Sequence, residues 1–270
     1  MNEAIIIAIN KVEEVVLESG NAGDLQYFIY HKKRFIKMAE TVLIKCKPNS
    51  LILDIGSHYL HSSLLLHFLG FRVHSMDVEN FWNIEFVKER AAKYDLYPII
   101  ENSLETLHSC AEKQDTYNLI LFTEILEHIT FNPINFWKKI YDVLKNNSII
   151  YITTPNSLTL FNIARTLKRI FFLQGIGTDI NSIFGNVTYG HHWKEYSTAE
   201  IKKYFTNLSD GFTIECEKYF YKSYTKNNSK NKLIAAFVKL NNLIPYFREE
   251  IEVVVHVNKN STWKLIAPNY

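Results

Sequence analysis

Two carboxylates and an imidazole fall within five residues in Glu124-Ile-Leu-Glu-His128, and two more imidazoles stand together at His191-His192. If the first segment is helical, positions i, i+3 and i+4 share a face. Glu124, Glu127 and His128 would then converge, and with His192 they would make a donor set suited to Mg²⁺ or Mn²⁺. Without a metal, His128, His191 or His192 could take a proton near neutral pH, which is the range of an ordinary imidazole. His31, His67, His74, His108 and His256 have ordinary surface or core readings.

Such side chains need elements to position them, and the clearest begin at Leu51. The run Leu51-Ile-Leu-Asp-Ile-Gly56 ends in Asp54, turns at Gly56 and opens a Leu-rich helical pattern that stops at Gly70. A second run, Phe71 to Asp77, also ends in an acid. This is strand, turn, helix, strand, and the carboxyl edge of an open α/β sheet is where ligands bind. An acid there can accept both hydroxyls of a ribose, and amides at the helix start can hold negative charge. The bland reading is an ordinary βαβ unit with two solvated acids.

Further along, Tyr97–Ile100 predicts a third strand and Tyr117–Phe122 a fourth, apolar throughout as a sheet covered on both faces requires. Asn132-Pro133 starts a helix that carries Ile134, Trp137, Tyr141 and Leu144 inward. Asn146-Asn147 can supply the positive φ for a turn into a fifth strand, Ser148–Thr154. Residues 212–220 and 251–257 alternate and read as a terminal pair with an antiparallel edge. Strands alternating with helices predict a doubly wound, mostly parallel Rossmann-like sheet.

Two helices precede the first strand, one over 3–18 and one beginning after Asp24, and residues 1–45 read as an N-terminal cover. Residues 46–270 then form the main domain, with a lid insertion at 156–194. Within the lid, Leu160, Ile163, Leu167 and Ile170 mark a basic amphipathic helix with Arg165, Lys168 and Arg169. A stretch from Gly175 to Gly190 follows, too long for a plain connection. Ser197-Thr-Ala-Glu200 is a capping box that opens another helix.

Composition narrows the class. The chain has 270 residues, 47% hydrophobic and 21% charged, enough for one large globular domain. A net charge of +2 gives no global bias toward nucleic acid, so RNA or DNA is a disfavoured partner. Three dispersed cysteines form neither a disulfide framework nor a metal spacing, which points to a reducing cytoplasm. No run reaches the length of a transmembrane helix, and the acidic start argues against a signal peptide. Lys222–Lys232 is basic but Asn-rich and reads as a solvated loop. Oligomeric state has no readable code.

Four pieces stand in order: Leu51–Gly56, Asp77, Thr123-Glu-Ile-Leu-Glu-His-Ile129, and Thr153-Thr-Pro-Asn156 with His192-Trp-Lys-Glu-Tyr-Ser197. Together they resemble a class I S-adenosylmethionine-dependent methyltransferase, of the branch with Glu-x-x-Glu-His after strand four and Thr-Pro-Asn after strand five. The resemblance covers roughly residues 45–258. It implies that Asp54, Ile55, Gly56 and Ser57 lie at the turn holding the methionine moiety of S-adenosyl-L-methionine, and that Asp77 binds the ribose. It places Ser103 and Leu104 near the adenine, and Thr123 and Glu124 beside the cofactor. It also brings the segments after strands four and five together, with His128, His191 and His192 over the site.

The sequence departs from the family where three alternate glycines are usual: only Gly56 is kept, and His58 and Leu60 take the other two places. A side chain at 58 is expected to crowd the backbone there. Ser103 and Asn118 replace two common acids. The implied activity is O-methylation of a small or sugar-containing metabolite. One alternative is a metal-dependent RNA 2′-O-methyltransferase, since the Glu124, Glu127, His128, His192 quartet is similar to that of small-RNA 3′-terminal enzymes. The other is a degenerate fold serving as an interaction module.

Overall fold

A computed structural model describes residues 2–111, 113–178, 180–185, 190–220, 236 and 238–268. Helices α1 (Glu3–Glu18) and α2 (Ala22–Lys45) come first, followed by β1 (Leu51–Ile55), α3 (His61–Phe68) and β2 (Arg72–Asp77). The short α4 (Glu79–Trp82) and α5 (Glu85–Lys93) lead to β3 (Tyr97–Ile100), and β4 (Tyr117–Thr123) precedes α6 (Ile134–Val143). Then come β5 (Leu144–Pro155), α7 (Leu160–Phe171), α8 (Ile180–Gly185), α9 (Thr198–Leu208), β6 (Phe212–Tyr219) and β7 (Glu250–Val257).

These strands form one seven-stranded sheet in the order β3-β2-β1-β4-β5-β7-β6. The first five are parallel, and β7 runs antiparallel between β5 and β6. The chain winds outward from β1 to β3, then returns to β4, so the topological switch lies between β1 and β4. In register, Ile55 pairs with Met76 and Phe122, and Thr123 pairs with Thr153, which brings the carboxyl ends of four strands into one row.

The apolar runs alternate between two cores, as side chains on a strand must. Ile52, Leu119, Leu121, Ile149 and Tyr151 pack under α1, α2 and α3. Leu53, Ile55, Ile120, Phe122 and Ile152 pack against α6 and α9 on the opposite face. The N-terminal helices thus share a core with the sheet. The Ser197–Glu200 capping box is present, with Ser197 Oγ accepting the Glu200 N–H and the Glu200 carboxylate accepting the Ser197 N–H.

Three boundaries differ from the sequence expectation. Helix α2 begins at Ala22, because Asn21 rather than Asp24 caps it by accepting the N–H groups of Gly23 and Asp24. Leu144 belongs to β5, where it pairs with Tyr117 ahead of a bulge, and Asn147 takes a φ of 57° inside that strand. The Glu124–His128 segment is not α-helical; only Leu126–His128 forms a 3₁₀ turn. The basic run Lys222–Lys232 lies outside the described residues. Among the described residues, no helix is long and apolar enough to cross a membrane. Cys46, Cys110 and Cys216 are free thiols.

Candidate active site

The β1–α3 turn keeps the backbone of a glycine loop despite losing two glycines. Gly56, His58 and Leu60 have φ of 72°, 48° and 67°, all left-handed. Only glycine enters that region without cost; other residues lose about 1–2 kcal/mol. The surrounding hydrogen bonds enforce the shape: Gly56 and Ser57 both donate to the Met76 carbonyl, and Leu60 donates to the Ser57 carbonyl. The His58 ring stacks on Tyr27 of α2 at 4.4 Å between centroids and packs against Tyr59 and Phe81. These ring contacts, about 0.5–1.5 kcal/mol each, offset the backbone strain. Burial drives the His58 imidazole down to about 3, so it is neutral.

Asp77 lies at the end of β2 with its carboxylate fixed by two amides. His58 N–H donates to Oδ2 and Val78 N–H to Oδ1, both at 2.7 Å. Each oxygen retains a lone pair for a hydroxyl. Asp54 is fully buried, and its Oδ2 accepts Ser62 and Ser63 hydroxyls at 2.6 Å. Burial raises its carboxyl to about 6 against those two hydrogen bonds. Ile55 and Ser57 are buried, so the turn offers mainly backbone. Ser103 N–H donates to Glu101, which also accepts from Ser109. Leu104 rests on the α6 side core.

At the end of β4, Glu124 has a φ of 57°, and this separates it from its neighbours. Its N–H donates to the Thr153 carbonyl, its Oε1 accepts the Thr153 hydroxyl at 2.7 Å, and Arg34 Nη1 lies 3.5 Å away. The four-residue set expected for a metal is therefore split. Glu124 turns toward α2 and β5, while Glu127, His128 and His192 bring donor atoms within 4.8 Å of one another. Helical spacing fails here because the left-handed residue precedes a 3₁₀ turn.

Residues 191–195 clasp that turn through backbone and side chain together. Trp193 N–H donates to the Glu127 carbonyl at 2.8 Å, and His128 Nδ1 bonds the His191 carbonyl at 2.8 Å. A carbonyl only accepts, so Nδ1 carries the proton and Nε2 presents a lone pair. Burial lowers the His128 pKa, and the neutral form results. The His192 ring meets His128 edge-on at 5.0 Å, and its Nδ1 bonds Glu195. Glu127 is buried, with Oε2 accepting the Thr154 hydroxyl and Oε1 making no hydrogen bond but lying 3.9 Å from His128 Nε2. Burial, then the charge of Glu124, raises Glu127 well above the carboxylate range. The His191 ring is buried beside Trp193, and its carbonyl accepts from His128 Nδ1.

A cavity of about 410 Å³ opens beside His192, between α7 and residues 176–178 and 190–195. Asn162, Arg165, Thr166, Arg169 and Glu195 line it.

Two groups escaped the sequence reading. Arg34 is buried on α2 and points its guanidinium at Glu124 and the Tyr27 hydroxyl. Asp24 is buried too, bound by His61 Nε2 at 2.7 Å and by both terminal nitrogens of Arg90. Burial alone would raise Asp24, but hydrogen bonds from His61 and Arg90 hold it at about 2. The available signal was a charge beside an apolar helical stripe: Asp24 stands four residues before Phe28, and Arg34 directly before Phe35.

A family profile described as "Methyltransferase domain" matches residues 30–250. No curated protein matches the chain by sequence. Solved structures share the fold at low identity. A SAM-dependent methyltransferase from Archaeoglobus fulgidus is 17% identical, with a TM-score of 0.51 over 85% of this chain and 99% of its own. A Thermotoga maritima SAM-dependent methyltransferase, described as a possible histamine N-methyltransferase, is 12% identical, with a TM-score of 0.51 over 92% and 100%. A chain from the complex of the Haloferax volcanii Trm112 methyltransferase activator with a methyltransferase is 11% identical, with a TM-score of 0.57 over 84% and 92%. With the switch point between β1 and β4, the loop at Gly56 and the profile match over most of its length, the chain belongs to the methyltransferase-domain family and is a class I S-adenosylmethionine-dependent methyltransferase.

Proposed function

We propose that this enzyme methylates an oxygen of a small, polar, sugar-containing acceptor, with His128 as the general base. The observation that carries this reading is the fixed, neutral tautomer of His128, whose ring meets that of His192, a residue that lines the cavity of about 410 Å³. S-adenosylmethionine supplies an electrophilic methyl group on a sulfonium. The chain's residues fit that cofactor: Asp77 has lone pairs for ribose hydroxyls, the β1–α3 turn keeps its left-handed positions, and Arg34 offers positive charge near Glu124 for a carboxylate. As the acceptor oxygen gains the methyl, its proton passes to His128 Nε2. The polar lining of the cavity suits a hydroxyl-rich molecule. Three free thiols suit a reducing compartment such as the cytoplasm.

A second reading gives the deprotonation to Mg²⁺ or Mn²⁺ held by Glu127, His128 and His192, with RNA as one candidate acceptor. The 4.8 Å grouping and a Glu127 Oε1 that makes no hydrogen bond favour it. Glu124, engaged by Thr153 and Arg34, leaves three ligands. Transfer of labelled methyl to a panel of nucleotide sugars, hydroxylated metabolites and RNA, with chelator and with Mn²⁺, separates the readings. O-methylated small product in the presence of chelator supports the first. Activity only with Mn²⁺, lost in Glu127→Ala, replaces it with the second; product methylated on nitrogen or carbon overturns both.

Asp77→Ala should weaken S-adenosylhomocysteine binding by roughly ten- to a hundredfold, the size of one or two charge-assisted hydrogen bonds. Calorimetric titration reads this directly. An unchanged dissociation constant would mean that Asp77 only caps the His58 and Val78 amides.

A further inference from the structure

Helix α7 is built inside out. Asn162, Arg165, Thr166 and Arg169, spaced i, i+3, i+4 and i+7, form a polar face that lines the cavity. Leu160, Ile163, Ala164, Leu167 and Phe171, at the same helical spacing, make the opposite, apolar stripe. An amphipathic helix on a globular protein normally turns such a stripe inward. Here no residue of α7 is buried, and the second half of the stripe faces outward. Leu167 is 62% exposed, Phe171 81% and Leu173 95%, with Ile170, Phe172 and Ile176 also exposed. So many large apolar side chains in one short stretch exceed the scattered exposure of an ordinary surface.

The charges accompanying the stripe are of one sign. Arg165, Lys168 and Arg169 are the only ionisable residues from 157 to 178, and none is acidic. A second copy docking through this face would set these cations against their own counterparts, which is unfavourable. The 221–235 stretch of the same chain carries four lysines and no acid, so its charge does not complement the helix either. Nucleic acid would answer the cations but has no use for exposed Leu167, Phe171 and Leu173. A bilayer surface with anionic headgroups answers both: acyl chains for the stripe and phosphates for Lys168, the cation that stands off the cavity face.

We propose that α7 and the following Phe172–Ile176 segment form a peripheral docking surface for an anionic membrane, with Lys168 at the headgroup level and Leu167, Phe171 and Leu173 in the interface. The test is flotation of the full chain with vesicles of phosphatidylcholine alone or mixed equally with phosphatidylglycerol. Binding to the mixed vesicles should be at least roughly tenfold tighter than to phosphatidylcholine, and should weaken in high salt. Phe171→Ser/Leu173→Ser should reduce it by roughly tenfold or more, since two large apolar groups no longer leave water. Lys168→Glu should remove the preference for the anionic lipid. S-adenosylhomocysteine binding should stay unchanged in these variants, because none of the three residues belongs to the site, and this separates the docking surface from the methyltransferase reading. Failure of the unaltered chain to float with mixed vesicles overturns the proposal. So does equal flotation of the double variant, or a concentration-dependent dimer that the double substitution abolishes without any vesicle binding.

Discussion

His128→Ala should lower kcat by roughly 10²- to 10⁴-fold, the range attributed to a positioned general base. S-adenosylhomocysteine affinity should change little, because the His128 side chain bonds the His191 carbonyl and faces His192 rather than the β1–α3 turn. The pH dependence gives the sharper signature. Burial pulls the His128 pKa below 6.5, against the raising effect of the His191 carbonyl, so the base is ready at neutral pH. Activity should be flat through neutrality and fall only on the acid side of 6.5, as the imidazole is protonated. That acid limb should vanish in His128→Ala and persist in His192→Ala. Near-normal kcat in His128→Ala would move the base elsewhere, and a limb that follows His192 would assign it there.

Asp24→Asn should destabilise the protein by about 3–5 kcal/mol, because it leaves the buried Arg90 guanidinium without its counter-charge. The damage reaches the site through α2. Asp24 ties that helix to His61 at the start of α3 and to Arg90 of α5, and Arg90 also donates to the Tyr59 carbonyl. Tyr27 and Arg34, about one and nearly three turns along, are presented to His58 and Glu124 from this anchor. Equilibrium urea unfolding gives the loss, and the double change Asp24→Leu/Arg90→Met should recover much of it, since no charge is then stranded. The sign of the pH effect follows from a carboxyl held at about 2 when folded against 3.8 otherwise. The stabilisation is complete above about 4 and lost as pH falls toward 2. Asp24→Asn should lack that acid component; an unaltered acid limb in its unfolding curve would place the linkage on another group.

The strand runs, the order of the acids at Asp54 and Asp77, and the Ser197 capping box follow from short-range rules: period-two alternation, turn chemistry and local hydrogen bonds act within a few residues. For that reason the parallel sheet, its antiparallel end and the family are legible in the chain alone. The clasp of His128 by the His191 carbonyl joins residues 63 positions apart, and no local pattern encodes it. Glu124 leaves the Glu127–His128 pair because of one left-handed backbone position, and the identity of a glutamate does not announce that. His58 and Leu60 hold glycine-like φ values because the Met76 carbonyl, the Asp77 carboxylate and the Tyr27 ring over-determine the loop. Amphipathicity placed α7 on a surface but not which face turned outward. Only the packing against the 190–195 return decides that, because the polar face finds Glu195 and the cavity there while the apolar face finds none of the described core.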